Sequence, residues 1–85
     1  MIKITLKIGS GLCGIRSIHI KEMDIAEGVL AADFLIMLSK EFGKDLLKPT
    51  VLVVLNGTKL SESDKKTTIL KNGDNVSMFE ALVGG

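Results

Sequence analysis

The apolar residues of this chain repeat at every second position, then at helical spacing, then at every second position again. That change of period limits the fold to a sheet with a helix laid across it. Ile2, Ile4, Leu6 and Ile8 alternate with Lys3, Thr5 and Lys7, which sends one row into a core and the other toward solvent. Glycines at 9, 11 and 14 break the pattern. Arg16, Ile18 and Ile20 then alternate with Ile15, Ser17, His19 and Lys21, so the spacing predicts a second strand joined to the first by a long hairpin turn. From Asp24 the period changes, and Leu30, Ala31, Phe34, Leu35, Leu38 and Phe42 share one helical face. This predicts a helix that starts near Leu30 and stops at Gly43. Asp24 with Glu27 resembles a capping box, but Gly28 argues against so early a start.

The second half is read as strands and turns. Thr50 to Leu55 is an unbroken aliphatic and β-branched run, expected to be buried on both faces, and Asn56-Gly57 after it is a tight-turn signal. Lys59-Leu60 is at most a short return strand. The polar segment Ser61 to Thr68 reads as a surface loop anchored by Leu70, and Asn72-Gly73-Asp74 as another turn. Val76, Met78 and Leu82 then alternate with Ser77, Phe79, Ala81 and Val83 up to Gly84-Gly85. The expected fold is α+β, a β-grasp: a mixed sheet of roughly four to five strands with one main helix packed on one face. The domain reading is one unit over residues 1–85, with a flexible C-terminal tail at 83–85.

Composition excludes several function classes. At 85 residues the chain has little room for a wide enzymatic cleft. A net charge of +1, with Lys and acidic residues interspersed, offers no basic stripe for nucleic acid, and only Phe34, Phe42 and Phe79 are available to stack on bases. No apolar run reaches the roughly 18 residues that span a bilayer, so no membrane is expected. One cysteine, Cys13, forms no internal disulfide, and Met1 leads straight into an alternating segment rather than a signal core, which points to the cytoplasm. Gly9-Ser10-Gly11-Leu12-Cys13-Gly14 matches the dinucleotide-binding fingerprint literally, but that motif works by opening a helix, and Ile15 to Lys21 reads as a strand. A lone Cys and the lone His19 are too few for a structural zinc site, so no metal is expected.

At Leu55-Asn56-Gly57, at Leu70-Lys71-Asn72-Gly73-Asp74-Asn75-Val76 and at Gly84-Gly85, the sequence resembles the ubiquitin-like sulfur-carrier proteins of molybdopterin and thiamine biosynthesis. Glu27-Gly28 before the helix also fits. The chain departs from that pattern in having Glu80-Ala81-Leu82-Val83 where those families often place prolines. The resemblance implies a carrier that is no enzyme and binds no cofactor of its own. Its Gly85 would be adenylated by a ubiquitin-activating-type enzyme, which uses ATP and magnesium. A sulfur donor protein would then convert it to a thiocarboxylate. An acceptor synthase would receive the sulfur, either the large subunit of molybdopterin synthase or thiazole synthase. Gly84 supplies reach and shape, since a chain end entering a narrow tunnel cannot carry side chains.

Phe79, Ala81 and Val83 share the face of the last strand opposite Val76 and Met78, and with Leu82 they form an apolar stretch beside the reactive end. This stretch is the candidate partner-docking patch; the other reading covers Phe79 with a loop or buries the strand on both sides. Two other functions share the same ending. One is a protein modifier joined through Gly85 to target lysines. The other is a non-covalent β-grasp interaction module with an inert tail.

Overall fold

The computed structural model describes residues 1–9, 19–43, 45–47 and 50–80. In chain order they form β1 (Ile2–Ile8), β2 (His19–Ile25), α1 (Ala31–Phe42), β3 (Val51–Leu55), β4 (Thr58–Lys59), α2 (Glu62–Thr67) and β5 (Asn75–Glu80). The strands make one five-stranded sheet in the order β2-β1-β5-β3-β4. β1 runs parallel to β5, and the other neighbouring pairs are antiparallel. This is the mixed α+β sheet with one main helix that the hydrophobic periods imply.

The alternation in β1 produces the core directly. Ile2, Ile4, Leu6 and Ile8 are buried, as are Val51 and Val53 of β3 and Val76 and Met78 of β5. α1 closes over this face with Ala31, Phe34, Leu35 and Leu38. Of the expected helix face, Leu30 is only half-buried and Phe42 is exposed.

α1 begins where expected, but its first turn is satisfied from a distance. Leu30 occupies the N-cap without a side-chain hydrogen bond. The Ala31 amide instead donates to the Thr68 carbonyl at 2.9 Å, and the Leu70 amide donates to the Val29 carbonyl at 3.0 Å. Backbone donors left free at a helix start need a partner, and a segment nearly forty positions away supplies it. Leu70, 3% exposed, anchors that segment. The helix stops at Gly43, whose φ of 66° is left-handed and whose N–H returns to the Ser39 carbonyl.

Three expectations are corrected. Ser61 to Thr68 is no loop, since it contains α2. Ser61 accepts from the Asp64 amide at 3.1 Å, and Asp64 Oδ2 accepts from the Ser61 amide at 3.2 Å. This reciprocal capping box starts a helix in a segment whose polar composition suggested none. Lys65, 4% exposed, tucks its stem inward and donates to Glu62 Oε1 at 2.9 Å. Second, β2 extends through Ile25, past the position where the period was expected to change. Its pairing with β1 sets Ile25 opposite Ile2 and Met23 opposite Ile4, on the core side. Ile20 therefore lies on the other side, 68% exposed, while Lys21 reaches Glu41 of α1 at 3.3 Å. Third, β3 is covered on one face only, because Leu52 and Val54 are half-buried.

β1 and β2 pair antiparallel with Ile8 opposite His19, and the first described element after the glycine-rich segment is this strand. The fingerprint beyond Gly9, and the expected strand residues Ile15 to Ile18, lie outside the described residues. The tip of that hairpin, with Cys13, lies outside the described residues, as does Pro49. Among the described residues no helix is long and apolar enough to cross a membrane.

Candidate functional site

The sheet face away from α1 holds the candidate site, and strand register assembles it. Phe79 stands opposite Leu52, Ser77 opposite Val54, and Lys7 beside Ser77 on the parallel side. Ile20 continues that row from β2, opposite Lys7. Phe79 is 40% exposed, so the docking face expected around it is open to solvent rather than covered by a loop.

Around Phe79 lies a shallow cleft of about 300 Å³ lined by Lys7, Gly9, Val54, Ser77, Met78 and Phe79. Gly9 shapes one wall. Its amide donates to the Met78 carbonyl at 2.8 Å, extending the β1–β5 ladder. A Cβ at this position would stand 3.1 Å from Phe79 Cβ, tighter than ordinary contact, so a side chain here would have to push Phe79 aside by a few tenths of an ångström. The lining is apolar apart from Lys7 and Ser77. Such a surface suits the capture of an apolar side chain, with Lys7 at its edge to meet an opposite charge.

β5 lies at the centre of the sheet, between β1 and β3, and its last residue Glu80 pairs with Val51. A chain leaving Glu80 is thus rooted in the most restrained strand. The other expected site residues, Ala81, Leu82, Val83, Gly84 and Gly85, lie outside the described residues.

The opposite end of β5 is fixed by the two Asn-Gly turns. Asn56 and Gly57 have φ values of 50° and 86°, the two positive angles of a tight hairpin turn between β3 and β4. Asn56 Nδ2 donates to Asp74 Oδ1 at 2.9 Å, while Asn56 Oδ1 accepts from the Asn75 amide at 2.8 Å. Asp74 Oδ2 accepts from the Lys71 amide at 2.7 Å, and the Asp74 carbonyl accepts from the Thr5 amide at 3.0 Å. Asn72 Oδ1 accepts from the Lys3 amide, and Gly73 N–H donates to the Lys3 carbonyl, both at 2.8 Å. The Leu-Asn-Gly and Asn-Gly-Asp-Asn segments thus form one clasp that joins β1, β3 and β5 and sets their register.

Sequence reasoning missed Lys7, Gly9, Leu52 and Val54 as parts of this surface. Leu52 and Val54 were hidden inside an aliphatic run that carries no alternation. Gly9 was counted with the turn glycines, although it belongs to the ladder.

Comparison with known proteins bears on the whole chain. The ThiS family model matches residues 15–85. The solution structure of the Haloferax volcanii HVO 2177 protein superposes with a TM-score of 0.72 at 23% identity, covering 99% of this chain and 87% of that one. At that identity the likeness establishes the fold. No protein of curated function matches the sequence.

Proposed function

The chain belongs to the ThiS family, and from that premise we propose that Gly85 is its working residue. The family assigns the chain a ubiquitin-like sulfur-carrier role, that of a small carrier rather than an enzyme. The observation that carries the proposal is the extent of the family match, which runs through both terminal glycines.

The chemistry follows from the weakness of a carboxylate as an electrophile. The Gly85 carboxylate attacks the α-phosphorus of ATP, held with magnesium by a ubiquitin-activating-type partner, and pyrophosphate leaves. The acyl-adenylate then loses AMP to the outer sulfur of a donor-protein persulfide, and a thiol cleaves the acyl disulfide that forms, releasing the thiocarboxylate and leaving a disulfide. The resulting thiocarboxylate is a soft nucleophile that carries its negative charge on sulfur at neutral pH. An acceptor synthase of molybdopterin or thiazole formation takes the sulfur from it. Gly84 lets the chain end enter a narrow site without side-chain collisions.

The folded part presents the tail. The open sheet face with Phe79, together with Ala81, Leu82 and Val83 that follow it in sequence, docks on the activating partner and feeds Gly85 into its nucleotide site. Full-length chain and a chain lacking Gly84-Gly85 are compared in ATP–pyrophosphate exchange with the cognate adenylating enzyme. The full chain supports exchange and the truncated one does not. Equal exchange by both, or none by either, overturns the proposal.

A further inference from the structure

Asn-Gly is the dipeptide most prone to succinimide closure, because glycine has no side chain to hinder its nitrogen from attacking the asparagine carboxamide. The chain carries two such pairs, Asn56-Gly57 and Asn72-Gly73, all four residues exposed. The fold restrains them differently. At Asn72-Gly73 both reacting groups are tied to Lys3: its amide donates to Asn72 Oδ1, and its carbonyl accepts from the Gly73 N–H, which is the nucleophile. At Asn56-Gly57 the nucleophile is untied, since among the described residues the Gly57 N–H has no hydrogen-bond partner. The whole restraint falls on the electrophile, whose Nδ2 is held by Asp74 Oδ1 at 2.9 Å and whose Oδ1 is held by the Asn75 amide at 2.8 Å.

We propose that Asn56-Gly57 is a latent deamidation site that Asp74 and Asn75 hold shut. When the carboxamide is released, the Gly57 nitrogen gives its proton to water or hydroxide and attacks Asn56 Cγ. A C–N bond forms to the ring, the bond from Cγ to Nδ2 breaks, and ammonia leaves with the proton it needs. Water then opens the succinimide at either carbonyl, giving aspartate or isoaspartate. The balance is one water in and one ammonia out, with no oxidation.

The product damages the clasp that restrained it. Aspartate at this position faces the Asp74 carboxylate where an N–H had donated, and two like charges this close repel. Isoaspartate adds a backbone carbon to a two-residue turn that sets the β3–β4 register, and β3 is paired along β5. Deamidation at Asn56 thus loosens the strand in which the tail is rooted.

Full-length chain, Asp74→Asn and Asp74→Ala are incubated at warm, mildly alkaline conditions beside a synthetic peptide of residues 53–60. Peptide mapping then quantifies aspartate and isoaspartate at each Asn-Gly pair. In the unaltered chain Asn56 reacts at least about tenfold more slowly than in the peptide. Asp74→Ala raises the Asn56 rate about tenfold, which corresponds to about 1.4 kcal/mol, the scale of one hydrogen bond to a charged group. Asp74→Asn, which keeps an acceptor oxygen but no charge, falls between. Circular dichroism checks that each variant is folded. Should Asp74→Ala unfold, Asp74→Asn alone decides. A folded Asp74 variant with the unaltered Asn56 rate overturns the proposal, as does an unaltered chain that reacts as fast as the peptide.

Discussion

Replacing Phe79 by alanine tests the docking surface quantitatively. Phe79 keeps 40% of its surface exposed, which for an aromatic side chain of about 200 Å² is about 80 Å² available to a partner. Covering that area at about 25 cal/mol per Å² contributes about 2 kcal/mol, or about thirtyfold in affinity. The alanine variant also loses the packing of the buried part of the ring, at a stability cost below the roughly 3–5 kcal/mol of a fully buried Phe→Ala change. Phe79→Leu, which keeps most of that packing, serves as the companion variant. The assay is ATP–pyrophosphate exchange with the cognate adenylating enzyme, each variant first shown to be folded by circular dichroism. Because the acyl group is untouched, Phe79→Ala raises KM about thirtyfold while kcat stays near the unaltered value, and Phe79→Leu lies between. A folded Phe79→Ala chain with an unaltered KM refutes the role of this face. A fall in kcat at constant KM refutes the assignment of the ring to docking rather than to the reaction.

Gly9→Val pushes its Cβ to within 3.1 Å of Phe79 Cβ; overpacking of this kind costs about 1–3 kcal/mol, read as a lower melting temperature, and the displaced ring raises KM in the same exchange assay. Ser61→Ala removes the acceptor for the Asp64 amide and with it half of the α2 capping box. The expected loss is about 1 kcal/mol in urea unfolding, with pyrophosphate exchange by the folded chain unchanged because Ser61 does not line the cleft around Phe79.

The sheet and α1 were legible in the sequence because each has its own hydrophobic period. Ile2 to Ile8 could only be a strand with one buried row, and the row from Ala31 to Leu38 only one helical face. Gly43 marked the stop and Asn56-Gly57 the hairpin, since both turn types need a positive φ. What failed had no period to show. α2 is six residues with a single buried side chain, Lys65, so its one sequence signal was the Ser61-to-Asp64 spacing. β2 mixes Lys21, Glu22 and Asp24 with Ile20, Met23 and Ile25, and only its register against β1 shows which side faces the core. That β3 is covered on one face only depends on what lies across the sheet, and a run of aliphatic residues carries no information about that. The candidate site was half legible. The diglycine and Phe79 were visible, whereas Lys7, Gly9 and Val54 enter it only through pairing between distant strands. The clasp was visible as two Asn-Gly turns, but the sequence gives no sign that they bind each other through Asn56 and Asp74.

The most direct test of the carrier role is the intact mass of the chain isolated from its native cell, with fragmentation to locate any change. A sulfur carrier shows a population in which one oxygen is exchanged for sulfur, and the exchange maps to Gly85. A Gly85 that is joined to lysines of other proteins, or that remains a plain carboxylate while the adenylating partner is active, contradicts it.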